Sequence, residues 1–122
     1  WLVTIAARTL RVFDAASGQP HGDPLVLAGT PLRAELARRG FRSVAADGFA
    51  APGVVVCHTD DPELQSGRRF LAAGYQIAAG VPLQVGEGEG FRSFRIGLFG
   101  LDKLRDVDAT VARLIAGLDA AL

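Results

Sequence analysis

The sequence predicts an α/β fold of the α+β kind, a two-layer sandwich in which helices cover one face of a largely antiparallel sheet. Three observations predict it. From residue 30 onward the periodic segments read helix, strand, strand, helix, strand, strand, helix. Glycine- and proline-bearing turns separate the strand segments, GFAAPG at 48–53 and GEGEG at 86–90, as short antiparallel connections require. The closing segment places Val107, Val111, Leu114, Ile115 and Leu118 at i, i+4, i+7, i+8 and i+11, the apolar stripe of a helix lying on a core.

Taken in order, residues 2–7 and 9–13 are short β-like runs, and SGQPHGDP at 17–24 is a turn-rich connector,. Thr30 is placed to cap a helix whose first residue is Pro31, where a missing N–H costs nothing. Leu32 and Leu36 share a face of it, Glu35 precedes Arg39 at the i,i+4 spacing, and Gly40 ends it,. Phe41 then reaches Leu36 across the glycine, the contact of a Schellman ending. Phe41–Ala45 and Val54–Thr59 are strands expected to pair, the second apolar enough to be central,. Asp61 before Pro62 opens a helix carrying Leu64, Phe70 and Leu71 and ending near Gly74,. An extended stretch through Ile77, Val81 and Leu83 follows, then the flexible acidic turn at 86–90 and a strand over Ser93–Phe99. Asp106 and Asp108 stand at the positive end of the last helix dipole,.

A chain of 122 residues, 49% hydrophobic and 21% charged, is expected to build one core,. Its 13 basic and 13 acidic residues cancel, and no basic patch marks nucleic acid or an anionic membrane as a partner. The lone Cys57 forms no internal disulfide and lacks zinc-site spacing, which suits a reducing cytoplasm. WLVTIAA at the start is too short for a membrane span and lacks a basic n-region,. The chain therefore reads as soluble, and its opening on Trp1 rather than Met reads as a fragment.

Two runs, GVVVCHTDDPELQSGRRFLAAGYQIAAGVPLQ at 53–84 and FRSFRIGLFGLDKLRDVDATVARL at 91–114, resemble the C-terminal small domain of class V, fold-type-I aminotransferases. This is the group that includes the alanine–glyoxylate and serine–glyoxylate enzymes. FRIGLFG at 94–100 is the most specific part, and ELARRGFRSVA at 35–45 is similar to the segment leading into that domain. The resemblance divides the chain into an unmatched hairpin and linker at 1–29 and a small domain at 30–122. It implies that Arg95 binds the carboxylate of a small amino acid or 2-oxo acid substrate. Such a role suits a guanidinium, whose parallel N–H bonds orient a carboxylate as well as hold it. It also implies a pyridoxal phosphate cofactor and a homodimer in the full-length family, with the cofactor lysine on a large domain this chain lacks. Lys103, the only lysine, does not stand where the family keeps its Schiff-base lysine. The chain on its own is therefore expected to bind no cofactor and to hold no catalytic residue. The function expected is a truncated aminotransferase domain for alanine or serine and glyoxylate or pyruvate, recognising substrate carboxylate. The alternative is a non-catalytic ligand-binding or interaction module that retains the fold.

Other residues read more simply. Without the resemblance, Arg95 would be a strand arginine paired with a surface carboxylate. Cys57 and His58, with Asp60 and Asp61 close behind, are metal-capable types, but neighbours on a strand face opposite ways, so no metal site is expected. Asp60 and Asp61 fit helix capping better than acid–base catalysis. The 86–90 glycines would bring Glu87 and Glu89 against any phosphate,. Ser66 and His21 lack triad company. Gly97 and Gly100 allow either close approach of a ligand or a plain turn. TLRVFDAASGQPHGDPLVLAG at 9–29 has some likeness to a WD40 blade, with Phe13 in place of tryptophan, although one partial blade cannot close a propeller.

Overall fold

A computed structural model describes the backbone except at residues 1, 7–8, 14–15, 18–19, 22–23, 101–102 and 104, and the side chains of residues 16–17, 28–100, 103 and 105–122. Near the start, β1 (Leu2–Ala6), β2 (Thr9–Phe13) and β3 (Pro20–His21) form a three-stranded antiparallel meander. The first two strands are the expected hairpin. The third lies where a connector was expected.

Helix α1 spans Pro24–Arg38, so the expected start at Thr30 is corrected. Pro31 sits inside the helix and lacks the N–H that would bond four residues back,. Tertiary burial accounts for the earlier start. Ala28, Leu32 and Leu36 are all buried and recur every four residues, so the face that meets the core continues back beyond the proline. Gly29 adds to this, because a Cβ there would stand 3.3 Å from Leu98 and 3.4 Å from the Pro52 carbonyl. The end of α1 follows expectation: Gly40 has φ +86°, its N–H donates to Ala37 at 2.9 Å, and the Phe41 N–H donates to Leu36 at 3.0 Å, the paired bonds of a Schellman motif.

Strands β4 (Val54–His58), β5 (Ala78–Ala79) and β6 (Ser93–Gly97) make a second sheet in the order β4-β6-β5, antiparallel throughout. The 41–45 segment pairs with β4 as expected, but only through one bridge, Ser43 to Cys57. The expected helix over 62–74 is divided. α2 (Pro62–Gln65) is capped by Asp61, whose Oδ1 accepts the Glu63 N–H at 2.7 Å. Gly67 then takes φ +77°, and α3 (Arg68–Ala72) begins beyond it. Phe70 is buried, whereas Leu71 faces solvent. α4 (Val107–Ala121) is capped by Asp106, which accepts the Ala109 N–H at 2.9 Å.

The core lies on one side of this sheet. Val55 and Cys57 of β4 alternate inward with Phe94 and Ile96 of β6, and they meet Leu32 and Leu36 of α1, Phe70 of α3 and Leu118 of α4. Phe94 is the centre, its ring 5.3 Å from Phe41 and 6.0 Å from Phe70. The expected α+β two-layer architecture with a small antiparallel sheet is what the chain forms. Among the described residues no helix is long and apolar enough to cross a membrane.

Candidate functional site

Alternation along β6 sends Phe94 and Ile96 into the core and Arg95 to the opposite face,. Arg95 lies opposite Val56 of β4 on one side and Ala78 of β5 on the other. Its Nε donates to the Ala79 carbonyl at 2.9 Å, which fixes the plane of the guanidinium. The other described arginines with ion pairs are Arg38 and Arg39, on Glu35 and Asp119, and Arg69, on Asp61. Among the described residues no carboxylate pairs with Arg95. Along the same face come Gly97, where a Cβ would meet nothing within 4 Å, and Phe99, 68% exposed with its ring laid over Gly53. The result is a shelf with a tethered guanidinium at one end, bare backbone in the middle and an aromatic ring at the other end. A guanidinium held by one nitrogen and open at the other two suits a carboxylate that accepts two parallel N–H bonds.

A second feature lies on the core side. A crevice of about 180 Å³ is lined by Phe70, Tyr75, Ile77, Ile96, Lys103 and Arg113, among others. Thr110 organises its polar edge, donating to the Lys103 carbonyl at 3.2 Å and accepting from Arg113 Nη2 at 3.2 Å. Gly117 permits the approach of α4, since a Cβ there would stand 3.0 Å from the Tyr75 ring. Lys103 lines this crevice, which Arg95 does not.

A third feature occupies the end of β4. Arg42, His58, Asp60, Phe91 and Arg92 bound an open depression of about 530 Å³. The His58 and Phe91 rings meet edge to face at 5.4 Å. Partial burial, and then the charge of Arg42, hold the His58 imidazolium below the usual histidine range, with Asp60 opposing them. Sequence reading did not bring Arg42 and Arg92 together. They come from segments 50 positions apart along the chain, and their only signal is that each adjoins a strand.

The remaining candidates separate as alternation requires. Cys57 is buried toward the core, its thiol pushed up to about 11 by desolvation, while His58 faces the depression. Among the described residues no three His, Cys, Asp or Glu side chains cluster as metal ligands. Asp61 caps α2 and pairs with Arg69 at 3.0 Å, and Asp60 lines the depression. Ser66 Oγ donates to the Glu63 carbonyl at 3.2 Å at the end of α2. The side chain of His21 lies outside the described residues. Gly100 takes a positive φ in a turn closed by the Lys103 N–H at 3.1 Å, the plain reading of that glycine.

The acidic turn holds a different surprise. Glu87 accepts the N–H groups of Leu83, Gln84 and Val85, the last two at 2.8 Å. Gln84 adopts φ +60° to turn its amide inward. The backbone cradle that could hold an anion is therefore filled by the chain's own carboxylate.

No protein-family model matches this sequence, and no curated protein matches it significantly.

Proposed function

We propose that residues 30–122 are the small domain of a class V aminotransferase and that the shelf around Arg95 recognises the carboxylate of a small amino acid or 2-oxo acid such as alanine, serine, glyoxylate or pyruvate. One observation supports this above the others: Arg95 is oriented by its bond to Ala79 yet has no acidic partner among the described residues. An unneutralised, pre-oriented guanidinium on an open sheet face is arranged for an incoming carboxylate rather than for stability. The uncovered face beside it is where a large domain would close.

Pyridoxal phosphate enters this reading only with that large domain, where it would supply the electron sink for amino-group transfer. The residues of this chain do not fit the cofactor. Its one lysine lines a crevice that Arg95 does not line, and the 83–85 amides already hold Glu87. This chain's part is to bind and orient a carboxylate. A cytoplasmic, homodimeric parent enzyme completes the reading.

The test is ligand binding to the purified chain, followed by amide NMR shifts on adding alanine or glyoxylate. Saturable shifts around Ala78–Ala79 and Arg95 are expected, weakened roughly 10- to 100-fold in Arg95→Ala, the range set by a hydrogen-bonded ion pair. Arg95→Lys should recover little, because an ammonium does not offer the planar fork. Saturable binding unaffected by Arg95→Ala, or no binding at millimolar ligand, removes this reading and leaves the module a fold without the recognition function.

A further inference from the structure

The depression at the end of β4 brings two guanidinium groups, from Arg42 and Arg92, to one place. Arg42 and Arg92 both line it, and neither makes an ion pair or side-chain hydrogen bond among the described residues. Glu89 stands exposed between the lining residues Gly88 and Gly90 but is not itself among the lining, and four other carboxylates are engaged elsewhere. Glu35 holds Arg38 and Arg39, Asp119 holds Arg39, Asp61 holds Arg69, and Glu87 holds backbone amides. Asp60 is the one carboxylate among the lining residues. Among the residues that line it, two guanidinium groups stand against one carboxylate, and protonation of His58 would add to the positive charge.

We propose that this depression binds a compact tetrahedral dianion, a phosphate group or its equivalent, between Arg42 and Arg92, with His58 as a third donor when protonated. Guanidinium forks recognise oxyanions through parallel charge-assisted hydrogen bonds, and a dianion can take such bonds from both arginines that line one depression. Phe91 braces the His58 ring edge to face. Asp60, on the rim, opposes the anion and sets an upper limit on affinity. The site does not rest on the reading of Arg95, which does not line it.

The experiment titrates the purified chain with sodium sulfate, inorganic phosphate and succinate at low ionic strength while following amide NMR shifts. Sulfate and phosphate are expected to shift residues 58–60 and 91–92 saturably, with a dissociation constant on the order of 1 mM, as a few charge-assisted bonds in an open site support. Arg42→Gln and Arg92→Gln should each weaken sulfate at least about tenfold, whereas Asp60→Asn should tighten it severalfold. Both arginines are exposed, so these variants should keep the native far-ultraviolet spectrum. The gain in Asp60→Asn has no counterpart in a merely structural role. Sulfate stays doubly charged across the range of interest, so its affinity should rise as pH falls through the titration of His58, below the ordinary 6.5, and His58→Gln should flatten that rise. Succinate binding as well as sulfate would overturn the tetrahedral assignment. Shifts that fail to saturate by about 10 mM, or that survive the double arginine variant, would overturn the site.

Discussion

The Glu87 carboxylate is held down at about 2 by hydrogen bonds from the backbone N–H groups of Val85, Glu87 itself, Gln84 and Leu83. Its folded pKa lies below its ordinary value of 4.5, so the order it imposes on the loop is present above that value and lost as pH falls toward 2. Glu87→Ala should speed amide hydrogen exchange at Leu83–Val85 by about three- to tenfold at neutral pH, the effect of losing ordinary hydrogen bonds. Matching exchange in variant and wild type at pH 7 would show that the loop is ordered by something else. No sequence rule pointed to this. Glycines on both sides of a glutamate read as a flexible acidic turn, and only the positive φ of Gln84 turns the amides inward. Arg95 differs: its place on a strand was readable from FRIGLFG, but its hydrogen bond to a carbonyl was not, because pairing across the sheet brings Ala79 to it.

Strand β5 is only two residues long, and its place against β6 depends on Gly80. The Gly80 N–H donates to the Gln65 carbonyl at 2.8 Å, tying the strand end to α2. A Cβ on Gly80 would stand 1.6 Å from the Ser93 carbonyl oxygen, closer than any packing adjustment of side chains can relieve. Gly80→Ala should therefore peel β5 away from β6 and cost about 2 kcal/mol or more, as strained overpacking does. A urea unfolding midpoint within error of wild type would show that the strand pairs loosely. Both Schellman endings share one device, a positive-φ glycine followed by an aromatic. Gly74 and Tyr75 repeat the bonds of Gly40 and Phe41, with the Tyr75 N–H on the Phe70 carbonyl at 2.7 Å. These endings were legible because they are local. The break at Gly67 was not, since the same glycine within an apolar-periodic run is compatible with one continuous helix.

Phe94 joins both layers of the core, fully buried between Phe41 and Phe70. Phe94→Ala should cost about 3–5 kcal/mol, a large part of the roughly 5–15 kcal/mol available to a domain. Cys57 is its register partner on β4 and is 3% exposed, so thiol labelling reports opening of the sheet. Each 1.4 kcal/mol lost is about tenfold in the open population, and labelling of Cys57 in the variant should accelerate by about 100-fold or more. Unchanged labelling would mean that Cys57 is reached by local fraying that does not involve the core. The raised thiol pKa acts in the same direction as burial: it favours the neutral form up to about 11, so its contribution to stability falls away as pH rises from 9 toward that value,.

Local chemistry in the chain is sufficient to specify the α+β class, the helix cap at Asp61, the acidic start and apolar stripe of α4 and the glycine endings, because each depends on residues within a turn or two of one another. Packing between distant segments decides the rest. It carries α1 back through Pro31 to Pro24, since Ala28 meets the same core as Leu32 and Leu36. It leaves Leu71 in solvent, and it brings Arg42 to Arg92 at the mouth of one depression. Such placements follow from burial and strand register, which are properties of contacts across the fold and have no period along the chain.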